Sequence, residues 1–442
     1  MNAKSSPATR TGLLPGSGIA MLCSALIFYI ISSFFRPTPS YNEFAAEPIF
    51  LFAGPLVLWQ FLKGNRIGSM RHSLCSALVV ALLLLGAAST LLAEYPSEAW
   101  NRLKLYYVCT LLSVGLYLAC RTNVRSLVVT FLLSIALVHA WFLVELMSSI
   151  YAWQGRVLPP GVATNYFANI RHFGYLGFLA ACAGTSVSLL SERGYLRWIG
   201  FVLGVLSVYG IIQFGSRGAF LAWLVFAALL FAIVPAKRLF FLSCLVTVSI
   251  ANLSVLYVDT SHPFPNKHGQ SFFARKAVGE DQLETTRQRI VIWQDSWHQI
   301  IKRPVLGHGP DAYVLSRCCQ QGTVQPHNSV IQFLFEFGML GTSIALAALG
   351  VLLWRPMQLL RIGFSRRQPD ITLGVLVFLP VSLLVFSMVD GLLYHVVPLL
   401  SFSILMGLLG AAVSPHLADI AVAAQGSSVR PAGPINNPLI PK

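Results

Sequence analysis

Three side chains, far apart in this chain, have the chemistry to act on an anionic substrate. His327 sits in Pro326-His327-Asn328, Arg289 lies four residues before Trp293, and Arg217 stands in the turn Gly215-Ser216-Arg217-Gly218. Imidazole exchanges a proton near neutrality, which makes His327 a candidate general base. A guanidinium is planar and permanently charged and binds phosphate oxygens in pairs, so Arg217 and Arg289 are candidate phosphate ligands. Each also has a plainer reading. A His at the start of a helix serves as a cap, an Arg in a tight turn snorkels to a membrane interface, and a basic amphipathic helix binds anionic lipid.

The elements that must position them are membrane helices. Of 442 residues 55% are hydrophobic and only 11% charged, against about 25% charged in a soluble domain. The apolar runs are continuous and do not alternate, so the fold class is all-α integral membrane, with about 12 transmembrane helices. Candidate spans cover 17–35, 48–62, 74–93, 104–120, 126–148, 173–191, 197–214, 218–235, 239–257, 329–353, 371–389 and 393–413. The chain thus divides into spans 1–9 over 1–257, a polar loop over 258–328, spans 10–12 over 329–413, and a disordered tail over 414–442.

Basic residues orient this array. With the N-terminus cytoplasmic, loops on that side hold seventeen Lys and Arg, against six (Arg36, Arg102, Lys104, Arg156, Arg171 and Arg217) on short outer loops. Both termini are therefore expected in the cytoplasm and the long loop outside. The basic pI near 9.7 is a topology signal and implies no nucleic acid.

Within the long loop, Thr285 or Thr286 is the expected cap of an amphipathic helix. Ile290, Trp293, Trp297, Ile300 and Ile301 recur at helical spacing until Pro304. This helix should lie at the membrane surface, with Arg289 on its apolar edge and Arg287 on its basic side. Basic Arg275-Lys276 and Lys302-Arg303 are expected to steer substrate phosphates, and Gly307, Gly309 and Gly322 read as hinges. Asn328 follows the His and is placed to orient it or a bound sugar. Glu336 is a membrane carboxylate, costly enough to imply a partner or a role. Asp390 and His395, at the outer ends of the last two spans, read as acceptor-site residues or as partners of one another or of a loop arginine. Eight cysteines show no metal-ligand spacing, the adjacent Cys318-Cys319 pair reads as structural, and no Asp-x-Asp occurs.

Taken in order, Arg289-x-x-x-Trp293, Pro304 with Gly307-x-Gly309, His327-Asn328-x-x-Ile331 and Glu336-x-Gly338-x-x-Gly341 resemble the signature of the O-antigen ligase and polymerase superfamily. The Ser216-Arg217-Gly218 turn resembles that family's second arginine site. The resemblance implies a GT-C-like fold with one large periplasmic loop between spans 9 and 10, in the inner membrane of a Gram-negative bacterium. It implies an O-antigen ligase, an inverting and metal-independent glycosyltransferase that needs no cofactor. Its donor would be an undecaprenyl diphosphate-linked glycan and its acceptor the lipid A-core of lipopolysaccharide, both reached from the membrane lipids. On this reading His327 is the base, Arg217 and Arg289 hold the diphosphate, and Asn328, Arg287, Glu336, Asp390 and His395 contact substrate. O-antigen polymerase and protein O-oligosaccharyltransferase are alternatives within the superfamily. A small-anion transporter is the alternative from another class.

Overall fold

The structure, a computed structural model, describes residues 50–51, 53–55, 57–58, 74–120, 124–152, 170–213, 215–261, 282–316 and 325–427. Expectations for span 17–35, most of 48–62, Arg275-Lys276, Cys318-Cys319, Gly322 and the chain beyond 427 fall outside these residues. From Leu74 onward the described elements are α1 (Leu74–Leu91), α2 (Pro96–Ala119), α3 (Val124–Ala152), α4 (Ile170–Leu190), α5 (Gly194–Gln213), α6 (Arg217–Ile233) and α7 (Lys237–Ser261). There follow α8 (Gln282–Ile300), the single turn α9 (Ala312–Leu315), α10 (Ser329–Ser365), α11 (Ile371–Ser387), a 3-10 turn Leu392–Tyr394 and α12 (Val396–Ser427). Among the described residues there is no strand.

Segments of α3, α4, α5, α7, α10 and α12 are long and apolar enough to cross a membrane, while the apolar stretches of α1, α6 and α11 are shorter. α1 to α7 and α10 to α12 fall on the last ten expected spans. α4 forms the centre, with Phe173 through Ala183 buried without interruption. It approaches α5 backbone to backbone at Gly184, where an added Cβ would strike the Gly204 main chain, the close contact that small residues permit in membranes. α12 runs through the expected tail as far as Ser427. The Ala-rich stretch 418–424 carries high helix propensity, which tertiary context here did not oppose.

The expected surface helix is α8, but it starts at Gln282, three residues before Thr285, so neither Thr is its cap. Its apolar residues divide between two faces. Ile292 and Ile300 pack with Tyr313 and Phe335, and partly buried Trp293, Ile331 and Leu334 close that cluster. Ile290, Trp297 and Ile301 are exposed on the other side, at the seven- and eleven-residue spacing of one helix face.

α10 is two helices joined at Gly338, whose φ of 63° and ψ of −171° break the spiral. The break strands the carbonyls of Phe335 and Glu336 and the amides of Met339 and Leu340. The segment 304–309 enters beside it and satisfies all four. His308 N–H donates to Phe335 O (2.9 Å) and Gly309 N–H to Glu336 O (2.9 Å), while Met339 and Leu340 N–H donate to Pro304 O (2.7 Å) and Val305 O (3.3 Å). Broken helices persist at membrane depth only when their freed groups are re-paired in this way. Gly307 and Gly309 hold left-handed φ values of 71° and 103°. A Cβ on Gly307 would collide with the Glu336 and Gly338 backbone, and one on Gly309 with Ala93. These two glycines are therefore packing points, not the hinges expected of them. Ser89 of α1 closes the joint by donating to Leu306 O and Glu336 O.

Candidate functional site

One end of the helix assembly gathers the polar residues of interest. Asn328 caps α10, its side-chain oxygen accepting from the N–H groups of Val330 (2.9 Å) and Ile331 (3.2 Å). Its amide nitrogen donates to Met388 O at 3.1 Å, which ties the start of α10 to the end of α11. Both ends of this carboxamide are thus engaged with backbone, and Asn328 acts here as a cap and a tie.

His327 precedes that cap with φ of 54°, a left-handed conformation unusual for a residue other than glycine. It is held from both sides. Trp293 of α8 donates its indole N–H to Pro326 O at 2.8 Å on one side, and the Asn328 cap anchors the chain on the other. The consequence is a fixed imidazole direction: Nδ1 lies 2.9 Å from Asp390 Oδ1. The two side chains are only 12% and 11% exposed. Asp390 Oδ1 also accepts the Gly391 N–H at 3.1 Å. An ionised carboxylate offers lone pairs alone, so Nδ1 is the donor and Nε2 becomes the ring's lone-pair nitrogen.

His395 reaches a different partner. Its Nε2 lies 3.2 Å from the Gln325 side-chain nitrogen, and its ring rests against Tyr175 at 4.9 Å between centroids. Asp390 and His395 thus meet residues 327 and 325 on the facing stretch of chain. Gln325 is buried and its Oε1 has no hydrogen-bond partner.

The arginines approach from two further helices. Arg217 is exposed and opens α6. Neighbouring Gly218 lies so close to Phe386 and Val389 that a Cβ there would strike both, which sets the Arg217 turn against the stretch leading into Asp390. Arg289, partly buried, stands one turn ahead of Trp293 on α8, and Arg287 on the same helix is exposed. Glu336 does not join the group. It is 1% exposed, with Oε1 receiving the Gln332 amide at 3.0 Å and buried Arg102 among its electrostatic neighbours. Arg102, read from sequence as an outer-loop charge, is 0% exposed. The side chains of Arg156, Arg171 and His172 fall outside the described part of the chain. Among the described residues no three His, Cys, Asp or Glu side chains cluster as a metal site would.

Residues 202–346 match the family model described as O-antigen ligase. The match supports the O-antigen ligase/polymerase superfamily for this stretch. It runs from α5 to the middle of α10 and includes Arg217, Arg289, His327 and the Gly338 break, whereas Asp390 and His395 come after it and Arg102 before it. No curated protein matches the chain. That family is glycosyltransferase-like, and its substrates are glycans and lipids. Asp390 was placed near this site by sequence, but its bond to His327 was not legible there, because 63 residues separate the two.

Proposed function

We propose that the protein is an O-antigen ligase of the Gram-negative inner membrane, with both termini cytoplasmic and its site on the periplasmic face. It would move a glycan from undecaprenyl diphosphate to the lipid A-core of lipopolysaccharide. The observation that supports this reading is the buried His327–Asp390 pair, 2.9 Å apart, with α8 tied beside it by the Trp293–Pro326 bond and the Gly218 backbone packed against Phe386 and Val389. With Nδ1 committed to Asp390, Nε2 accepts the proton of the acceptor sugar hydroxyl. The hydroxyl oxygen forms a bond to the anomeric carbon as the bond from that carbon to the diphosphate breaks. The leaving diphosphate takes the bonding electrons, and backside attack inverts the anomeric centre. Asp390 stabilises the imidazolium that results. Arg217 and Arg289 neutralise charge growing on the diphosphate, and Arg217 sits at the first residue of α6, where helix amides add positive potential. The proton, the new C–O bond and the departing anion are then all accounted for without a metal.

The test is glycan transfer by purified protein with a polyprenyl diphosphate-linked donor and an amphiphilic core-sugar acceptor. His327→Ala should lose about 10²-fold or more in turnover while still binding donor. Near-full activity in that variant would remove the assigned base. In a deletion strain, loss of long-chain lipopolysaccharide with accumulation of lipid-linked glycan supports ligase; core capped with a single repeat unit would replace it with polymerase. Ion uptake into liposomes without glycan transfer would replace both with a transporter.

A further inference from the structure

Arg102 is a cation that the proposed transfer reaction does not use, and it is fully buried. It lies in the second turn of α2. Its Nη2 donates to the Tyr394 carbonyl, and its Nε donates to the Tyr106 hydroxyl at 3.2 Å. The guanidinium carbon lies 4.3 Å from the centroid of the Tyr394 ring. Asp311 and Glu336 are its acidic neighbours. Asp311 holds a left-handed φ of 62°; its side chain also bonds the Tyr394 hydroxyl and its backbone N–H meets the Glu336 carboxylate.

Fold stability does not explain such a cluster. Buried ion pairs seldom outperform an apolar replacement of similar volume, because desolvation offsets the attraction. An apolar side chain, however, has no N–H fork. Here Nη2 holds Tyr394 by its carbonyl while the guanidinium carbon lies over its ring, two contacts that together fix both position and rotation.

The segment containing Tyr394 gives this grip its meaning. Leu392 N–H donates to Asp390 O, Tyr394 N–H to Gly391 O (3.1 Å), and His395 N–H to Leu392 O (3.0 Å), so 390–395 is one continuous hydrogen-bonded turn. At one end Asp390 holds His327; at the other Arg102 holds Tyr394, and His395 beside it meets Gln325. We propose that Arg102 is a positioning residue for glycan transfer, clamping the 390–395 turn so that Asp390 meets the His327 imidazole. The proposal rests on the role of His327 as the base in that transfer.

The experiment compares wild type, Arg102→Lys, Arg102→Met and the triple variant Arg102→Met/Asp311→Asn/Glu336→Gln, each as the full chain in lipid nanodiscs. Three quantities are read: Tm, amide hydrogen exchange over 388–396, and kcat and KM for transfer. Arg102→Met should lower Tm, speed exchange in 388–396 and reduce kcat by about 10²-fold with donor KM within about threefold, the signature of a displaced catalytic group. The triple variant carries no uncompensated carboxylate, so its Tm should recover while exchange stays fast and kcat stays low. Arg102→Lys keeps the charge and the fold but loses the fork, and should still speed exchange and lower kcat by about tenfold.

Recovery of kcat together with Tm in the triple variant would overturn the proposal, reducing Arg102 to charge balance. Wild-type exchange and kcat in Arg102→Lys would overturn it as well. If the wild-type protein transfers no glycan, the functional reading falls by itself, and the exchange data still decide whether Arg102 holds the turn.

Discussion

Removing the Asp390 carboxylate tests the proposed base most directly. Asp390 Oδ1 accepts from His327 Nδ1 at 2.9 Å, and both side chains are nearly nine-tenths buried. When His327 takes the acceptor's proton, the bond from a neutral imidazole to the carboxylate becomes an imidazolium–carboxylate ion pair, a gain of about 1.5–3 kcal/mol in the transition state. At about 1.4 kcal/mol per decade, losing it costs about 10- to 150-fold in kcat. Asp390→Ala should fall near the upper end. It also strips the Gly391 N–H of its side-chain acceptor and frees the imidazole to rotate. Asp390→Asn retains a side-chain oxygen that accepts both bonds, but without the charge, and should lose only about tenfold. The assay is single-turnover transfer at saturating donor and acceptor, with Tm measured on the same preparations. If Asp390→Ala keeps kcat within about twofold of wild type while His327→Ala is inactive, the carboxylate does not support the base and this account of the pair is wrong.

Gly338→Ala places a Cβ against the Val305 carbonyl and Gly307 amide at a φ of 63°; it should destabilise the protein by about 2 kcal/mol or more, read as a drop in Tm, and an unchanged Tm would show that the break is not locked. Asn328→Ala should cost about 1 kcal/mol from the lost cap and lower activity, whereas Asn328→Asp, which keeps the capping oxygen, should recover most of the Tm; equal Tm values for the two would argue against the cap. Transfer should be unaffected by EDTA, since fixed guanidiniums carry the phosphate charge in the proposed mechanism; activity that collapses with chelator and returns with magnesium would refute it.

Hydropathy is a local property, and so the helical plan was readable from the chain alone. α1 to α7 and α10 to α12 fall where the apolar runs place them. Arg217, Arg289 and His327 stood out because each lies in a short string of distinctive neighbours, and all three fall within the stretch 202–346 that matches the family model. Roles set by contact were not. Gly307 and Gly309 looked like hinges because glycine permits motion; the structure shows them filling a helix break in which no Cβ fits. Thr285 and Thr286 looked like caps, yet α8 begins three residues earlier.

Sequence by itself determined the apolar helical plan, the polar stretch that interrupts it, and the residue strings between Arg289 and Gly341 that resemble a superfamily signature. Tertiary structure alone decided which polar groups meet. It brought Asp390 to His327, turned Glu336 toward buried Arg102, and joined Arg102 to Tyr394 across 292 residues of chain. The reason is physical: a polar side chain inside an apolar assembly must find a partner, and the partner is chosen by how helices pack at one end of the bundle, which no local pattern of residues records.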